Sequence, residues 1–248
     1  MFAKIKKKRD QKLFEAYIAQ MNLVNPKSIS YDQVKSLKTL KNECHLLSMN
    51  KMVDSDLFLS SLKDFKVHYA KSNNSTDLEY EMNFGKFVNE IMPFDNDKYV
   101  FHNVLRDEEL TKKIIHLIPV PSFIKIKKVS DLRISRLYAG GKHSGTNLHI
   151  HSQALNYLVK GKKLWVVFPY NSSNNKFVEQ NNMQYGKVKT STLKWFLDSH
   201  QILQNANEIT GMKVFIQQAK EVVYIPSGSH HAVVNLENSL GITYSWVY

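Results

Sequence analysis

Apolar residues in the N-terminal part of the chain have the spacing of an α-helix. They recur three and four positions apart between Leu13 and Met21, which would place them on one face of a helix. Residues 10–70 as a whole are predicted to be mostly helical, with a further short helix over residues 54–65. The first part of the chain is therefore expected to be a helical extension.

A different pattern begins near residue 80 and is typical of short β-strands. After an amphipathic helix over residues 83–91, residues 132–138 alternate apolar and polar, as a half-buried strand does. Residues 164–168 form an apolar run that Pro169 ends. Further predicted strands cover residues 99–101, 148–151, 222–225, 231–236 and 241–246.

Strands this short and this closely spaced predict a mainly β fold with some α, a sandwich or barrel of the jelly-roll kind. The predicted division is an N-terminal helical extension over residues 1–75 and a β domain over residues 76–248. The extension could be a substrate platform, a dimer face or a lid on the barrel. No internal repeat is visible, and nothing in the sequence indicates an oligomeric state.

Composition adds a core and a positive charge to this picture. Hydrophobic residues make up 43% of the chain and aromatic residues 11%, which is enough for a buried core and excludes global disorder. The net charge of +12 favours acidic partners such as nucleic acid, although a solvated lysine-rich surface explains it equally well. The basic run Lys6–Arg9 could contact nucleic acid, act as a nuclear localisation cluster or begin a solvated helix.

The single cysteine, Cys44, excludes an internal disulfide and any cysteine-based zinc cluster. A reducing intracellular compartment, cytoplasmic or nuclear, is therefore expected. No apolar run approaches the ~20 residues that span a bilayer, and the N-terminus lacks the apolar stretch of a secretory signal. We accordingly expect no membrane partner.

Histidines supply the candidate chemistry. His149 and His151 are two positions apart in the predicted strand over residues 148–151, where alternate side chains share a face. His231 begins a later predicted strand, which can lie alongside the first in a closed β-fold. Three imidazoles can hold a transition metal and leave coordination positions open for other ligands. Alternatively, these are ordinary hydrogen-bonded histidines of the core or surface.

Three blocks around these histidines resemble the metal-binding core of the JmjC (jumonji) family. The blocks are Ser144–His151, Leu155–Pro169 and Val223–Leu236. The last block matches the family pattern of a hydrophobic pair, Pro, any residue, Gly, two residues and His, which selects His231 rather than His230. Weaker matches upstream are Met82–Val88, Tyr99–Phe101 and Pro119–Phe123. The resemblance covers about residues 80–248 and leaves the N-terminal part uncovered.

The resemblance implies a double-stranded β-helix (jelly-roll, cupin-like) core that binds Fe(II) and 2-oxoglutarate, and it looks closest to the small protein hydroxylases. The implied metal ligands are His149, His151 and His231, and no catalytic residue beyond them is implied. The implied cosubstrate contacts are Thr146, Asn156, Lys163, Thr243 and Tyr99. The implied activity is a dioxygenase that hydroxylates or demethylates a protein or nucleic-acid substrate.

One residue departs from the family pattern. The second ligand in the family is Asp or Glu, and this sequence has His151 there. Imidazole is also a good Fe(II) ligand, but without the carboxylate the site is one charge more positive. The site could hold iron with three histidines, hold another metal such as Zn(II) or Ni(II), or be degenerate. In the last case the protein would be a non-catalytic JmjC-like module that binds nucleic acid or chromatin.

Overall fold

The computed structural model describes residues 2–21, 23–40, 42–49, 53–71, 80–124, 132–183 and 190–246. In these ranges the α-helices are α1 (Phe2–Gln20), α2 (Ser55–Leu62), α3 (Phe84–Lys86), α4 (Glu108–Leu117), α5 (Ser172–Gln180), α6 (Thr192–Asp198) and α7 (His200–Thr210). The strands are β1 (Lys27–Ser30), β2 (His45–Ser48), β3 (Lys66–Lys71), β4 (Tyr80–Asn83), β5 (Lys98–Asn103), β6 (Leu132–Gly140), β7 (Gly145–His149), β8 (Ala154–Lys160), β9 (Lys162–Phe168), β10 (Lys213–Gln218), β11 (Glu221–Ile225), β12 (His230–Asn235) and β13 (Ser239–Trp246).

Two β-sheets pack against each other to form a barrel-like core. The larger sheet has the order β1-β2-β11-β8-β13-β6-β5-β3-β4, and the smaller one has the order β10-β9-β12-β7. Along the chain, β6 to β13 pass between these two sheets with antiparallel pairing, which is the connectivity of a jelly roll. The predicted double-stranded β-helix core is therefore confirmed.

Helices cover the outer faces of both sheets. On the smaller sheet, outward residues of β9 such as Leu164 and Val166 share one core cluster with Phe14 of α1 and with Trp195 and Phe196 of α6. On the larger sheet, a second cluster joins β6, β8 and β13 to helices α2 and α4. Both faces of each sheet are buried, and much of the apolar core lies between the sheets and the helices. The interior of the barrel can therefore hold polar side chains while the fold keeps a hydrophobic core.

The prediction that residues 10–70 are mostly helical is wrong. Among the described residues of this range only α1 and α2 are α-helices, and β1, β2 and β3 extend the larger sheet. Strand β2 pairs with the distant strand β11, and such a tertiary contact overrides local propensity. The predicted boundary at residue 75 lies among residues 72–79, outside the described residues, so the division into two parts stays a prediction.

Other predictions near the site have mixed outcomes. The short helix over residues 83–91 is confirmed, with Phe84 and Phe87 fully buried and a π-helical turn over Phe87–Ile91. The strand predicted over residues 148–151 instead ends at His149, so His151 lies in the segment that follows it. Among the described residues, no helix is both long and apolar enough to cross a membrane.

Candidate functional site

Three histidines meet inside the barrel, and each is carried by a different element of the fold. His149 ends β7 and lies directly opposite His231 of β12, with ring centroids 4.2 Å apart. His151 joins them from the segment after β7, with its ring 4.5 Å from that of His231. One nitrogen of each ring lies within 4.8 Å of the corresponding nitrogens of the other two, which is close enough for all three to bind one metal ion.

A tight turn holds His151 in place although no strand does. The backbone N–H of Gly228 donates to the carbonyl oxygen of His151 at 3.0 Å. Gly228 has a φ of +77°, a left-handed conformation that glycine adopts at little cost. This turn leads into β12, so the same backbone that positions His231 also fixes His151.

The three rings are anchored in the same way. In each, Nδ1 lies close to a backbone carbonyl oxygen, at 2.8 Å for His149, 2.5 Å for His151 and 2.9 Å for His231. The accepting carbonyls belong to Asn147, Ser152 and Ser229. Because a carbonyl only accepts, Nδ1 must donate, and a neutral ring then carries its lone pair on Nε2. Such bonds fix the tautomer and orientation of metal-binding histidines.

Burial keeps these rings neutral. Loss of solvent lowers the pKa of His149 to about 4, and burial together with the neighbouring His149 and His151 holds the pKa of His231 well below its ordinary value. The Nε2 atoms of His151 and His231 are 3.0 Å apart, so two lone pairs face each other. Two ligands bound at right angles to one metal at ~2.1 Å would lie ~3.0 Å apart. The donor set therefore fits a metal cation.

Lys163 places an ammonium group in the same cavity. It is fully buried on β9, and burial lowers the pKa of its ammonium group to about 7. Its Nζ donates to Oδ1 of Asn235 at 2.9 Å and lies 4.3 Å from the centre of the Tyr138 ring. Tyr99 Oη is 3.5 Å away. Among the described residues no carboxylate pairs with Lys163, so an anionic ligand fits here.

Asn235 holds the lysine through a bond network of its own. Its Nδ2 donates to the carbonyl oxygen of Gly140 at 3.1 Å and to Oγ of Ser144 at 3.0 Å. These bonds turn Oδ1 toward Lys163. Gly140 leaves space for this packing, because a Cβ there would come within 2.3 Å of the Tyr99 ring.

The structure brings all the predicted site residues to one cavity. The eight are His149, His151, His231, Thr146, Asn156, Lys163, Thr243 and Tyr99. Asn156 donates to Oγ1 of Thr243 at 2.8 Å and accepts from the hydroxyl of Tyr138 at 2.9 Å. His230 stays outside the cluster, with its Nε2 3.1 Å from Oδ1 of Asn175. The roles given to the eight residues stay expectations.

Sequence reasoning missed several residues in or beside this cavity. Tyr138 lies in the predicted alternating strand, but alternation alone does not say which face is the barrel interior. Asn235 is part of the third block of the resemblance, yet its contact with Lys163 depends on the pairing of β9 with β12. Trp165 lies over His231 with ring centroids 6.1 Å apart, and its Nε1 donates to Gln217. The signal available in the sequence was a tryptophan within the apolar run over residues 164–168.

Comparison with known proteins identifies a domain within this chain. Residues 136–246 match the family described as "JmjC domain, hydroxylase". The chain is 29% identical over 136 residues to "Arginine-specific demethylase JMJ20" of Arabidopsis thaliana, covering 51% of this chain and 26% of the relative. It is 31% identical over 123 residues to "2-oxoglutarate and iron-dependent oxygenase JMJD4" of Homo sapiens, covering 48% of this chain and 28% of the relative.

A more distant relative has a wider overlap. The chain is 25% identical over 166 residues to "Bifunctional arginine demethylase and lysyl-hydroxylase psr-1" of Caenorhabditis elegans, covering 61% of this chain and 40% of the relative. By contrast, the chain spans only 26% and 28% of the length of the first two curated relatives. The family match over residues 136–246 covers strands β7 to β13 and the three histidines.

Proposed function

Residues 136–246 are a JmjC domain, and from that premise we propose that this protein is an Fe(II)- and 2-oxoglutarate-dependent oxygenase that hydroxylates a polypeptide side chain. One observation carries the proposal: three histidine lone pairs and one buried ammonium group face the same cavity. The names of the relatives, which include an iron-dependent oxygenase, arginine demethylases and a lysyl-hydroxylase, support a polypeptide substrate.

His149, His151 and His231 would hold the iron. Iron bound together with 2-oxoglutarate supplies oxygen activation, coupled to oxidative decarboxylation of the cosubstrate to succinate. The protein contributes neutral imidazoles that are already oriented by backbone carbonyls, so little reorganisation accompanies metal binding. Three protein ligands leave coordination positions open for the cosubstrate and oxygen.

Lys163 would bind the carboxylate of 2-oxoglutarate that lies away from the metal. Its ammonium group is a compact point charge in a water-poor pocket, where a charge-assisted hydrogen bond is strong. Thr146 and Tyr99 add hydroxyl groups to the same cavity. Trp165 and the apolar residues beside it limit the access of water to the reacting groups.

His151 in place of a carboxylate makes the protein ligand set neutral. Its ring nonetheless has the anchoring bond and the inward orientation of the other two histidines, which favours a ligand over a decayed position. The non-catalytic binding module is the competing function, since an imidazole at residue 151 is the feature that separates this site from the family pattern. Nucleic-acid contact through Lys6–Arg9 and a cytoplasmic or nuclear location stay predictions.

Succinate formation tests the proposed function. Purified protein given Fe(II), ascorbate and 2-oxoglutarate in air should release succinate, coupled or uncoupled to substrate oxidation, above an iron-free control. His230→Ala should retain this turnover, because His230 lies outside the cluster. Absence of succinate at verified iron occupancy would contradict the proposal and favour the non-catalytic module.

A further inference from the structure

Arg136 lies on the inner face of the barrel beside the proposed active site. In the pairing of β13 with β6 it is directly opposite Thr243, and residues that are directly opposite share one face of a sheet. Thr243 lines the cavity, and so does Tyr138, which is two positions after Arg136 on the same strand. Arg136 therefore points toward the same space as the cosubstrate residues.

Along the barrel, Arg136 lies close to the end that holds the three histidines. Residues that pair across neighbouring strands form a row of side chains, and one such row contains Arg136, Thr243 and Asn156. The next row on the same face contains Ala154 and Ser245. Ser245 contacts Ser152 through their hydroxyl groups at 2.8 Å, and Ser152 directly follows the proposed ligand His151. Only one row of side chains thus separates Arg136 from the segment that carries a metal ligand.

The guanidinium of Arg136 has no anionic partner among the described residues. Its Cζ lies 5.2 Å from the centre of the Phe101 ring, and its Nε is buried without a hydrogen bond. Burial and the nearby charge of Arg106 both lower the pKa of Arg136, which means that the strongest charge close to it is a like charge. The described residues that line the cavity include no Asp or Glu. Leaving a guanidinium partly buried and unpaired is costly, and an incoming anion would remove that cost.

We propose that Arg136 binds a carboxylate of the substrate, so that the enzyme acts on a polypeptide residue that has an acidic side chain close to it. A guanidinium presents two parallel N–H donors, which match the two oxygens of a carboxylate. Because the proposed function assigns Lys163 to the cosubstrate, the charge of Arg136 is left for the substrate. The polypeptide part of this proposal rests on the proposed function, whereas the anion site itself does not.

Binding of a small carboxylate probe tests the site. Trifluoroacetate is titrated into the protein with excess 2-oxoglutarate present, and its affinity is read from the ¹⁹F line width, with and without Mn(II). Arg136→Gln should weaken binding by ~10-fold or more, the effect of losing a hydrogen bond to a charged group. Lys213→Gln is the matched control, because Lys213 is a half-buried cation on β10 of the other sheet without an ion-pair partner in the described chain. It should change the affinity by less than ~2-fold.

Measurements with and without Mn(II) distinguish failure of the Arg136 anion site from failure of the proposed metal site. With Mn(II) bound, the paramagnetic ion should speed ¹⁹F relaxation of trifluoroacetate in wild type and not in Arg136→Gln. If Mn(II) fails to bind, the proposed metal site is wrong, yet the metal-free titration still tests Arg136. Equal affinity of wild type and Arg136→Gln, with both variants folded by circular dichroism, would overturn the anion site.

A peptide competition tests the class of substrate. A blocked Gly-Asp-Gly peptide should displace trifluoroacetate from wild-type protein, whereas blocked Gly-Asn-Gly should not. Displacement by free acetate alone, with no effect of the Asp peptide, would overturn the polypeptide assignment and indicate a small-acid substrate.

Discussion

The two ends of the cavity satisfy their polar groups in opposite ways. At the histidine end, backbone carbonyls hold three neutral rings, and their lone pairs converge on a point between them. At the lysine end, a side-chain amide and two tyrosines surround one cation that has no anionic partner in the described chain. One end thus fits a cation and the other an anion. Together they suit a metal ion chelated by a dicarboxylate.

The anchoring of the two ends also differs in kind. Backbone carbonyls position the histidines, so their orientation depends on strand register and on the turn at Gly228. Asn235 positions Lys163, and it depends in turn on Gly140 and Ser144. A substitution at one end should therefore alter the binding of one ligand and leave the other largely unchanged. The following predictions test this independence.

Loss of a histidine should have the largest effect. His149→Ala removes one of three metal ligands, and we expect metal affinity to fall by ~100-fold or more, at or beyond the upper end of the 10–100-fold cost of losing even a supporting contact. Calorimetric titration with Mn(II) or Co(II) measures this. His230→Ala controls for general damage, and an equal loss in both variants would mean that the cluster is not the metal site.

Loss of the lysine should weaken 2-oxoglutarate binding and spare the metal. Lys163→Met keeps the bulk of the side chain but removes the charge, so affinity for the cosubstrate should fall by ~10–100-fold, the equivalent of a charge-assisted hydrogen bond. Lys162→Met is the control, since Lys162 pairs with Glu237 at 3.3 Å outside the cavity. Titration of the metal-free protein with metal gives the metal affinity, and titration of the metal-loaded protein with 2-oxoglutarate gives the cosubstrate affinity. A parallel loss of metal affinity would contradict the independence of the two ends.

The pH dependence should come from the lysine end. Burial lowers the pKa of Lys163 to about 7, so above pH 7 the unliganded side chain is increasingly neutral. Because the bound carboxylate favours the charged form, binding takes up a proton, and affinity should fall by ~10-fold per unit well above pH 7. Calorimetry in buffers of different ionisation enthalpy measures this uptake. An unchanged affinity between pH 7 and pH 9 would show that another group binds the carboxylate.

Restoring a carboxylate at the histidine end should have the smallest effect. His151→Asp adds a negative charge next to the metal, and we expect Fe(II) affinity and succinate release to rise by up to ~10-fold, since most of the Coulomb gain is offset by desolvation. Affinity for 2-oxoglutarate at Lys163 should change little. A fall in turnover would instead show that the three-histidine set is adapted to its own chemistry.

The sequence identified residues that the structure brings to one cavity, but it did not give the geometry that unites them. Motif spacing selected His231 over His230, the resemblance implied Lys163, and the structure brings both residues into the cavity. Yet His151 reaches the cluster from beyond the strand that was expected to carry it. Local periodicity describes a strand face, whereas the Gly228 contact that positions His151 comes from a distant turn.

The dependence on contacts between distant parts of the chain also explains which strands were not predicted. Strand β8 is buried along almost its whole length, so its sequence lacks the alternation that predicts a strand. Strand β2 is stabilised by pairing with β11 rather than by its own propensity. Arg136 could not be recognised from sequence, because its inward orientation follows from its register opposite Thr243.

The most direct test of the account is an anaerobic titration of the Fe(II)-loaded protein with 2-oxoglutarate, followed by visible absorbance. Chelation of iron by the keto acid produces a metal-to-ligand charge-transfer band. We predict this band in wild type and in His230→Ala, and its absence in His231→Ala. Absence of the band in wild-type protein with verified iron content, or its persistence in His231→Ala, would contradict the assignment of the three-histidine cluster as the iron site.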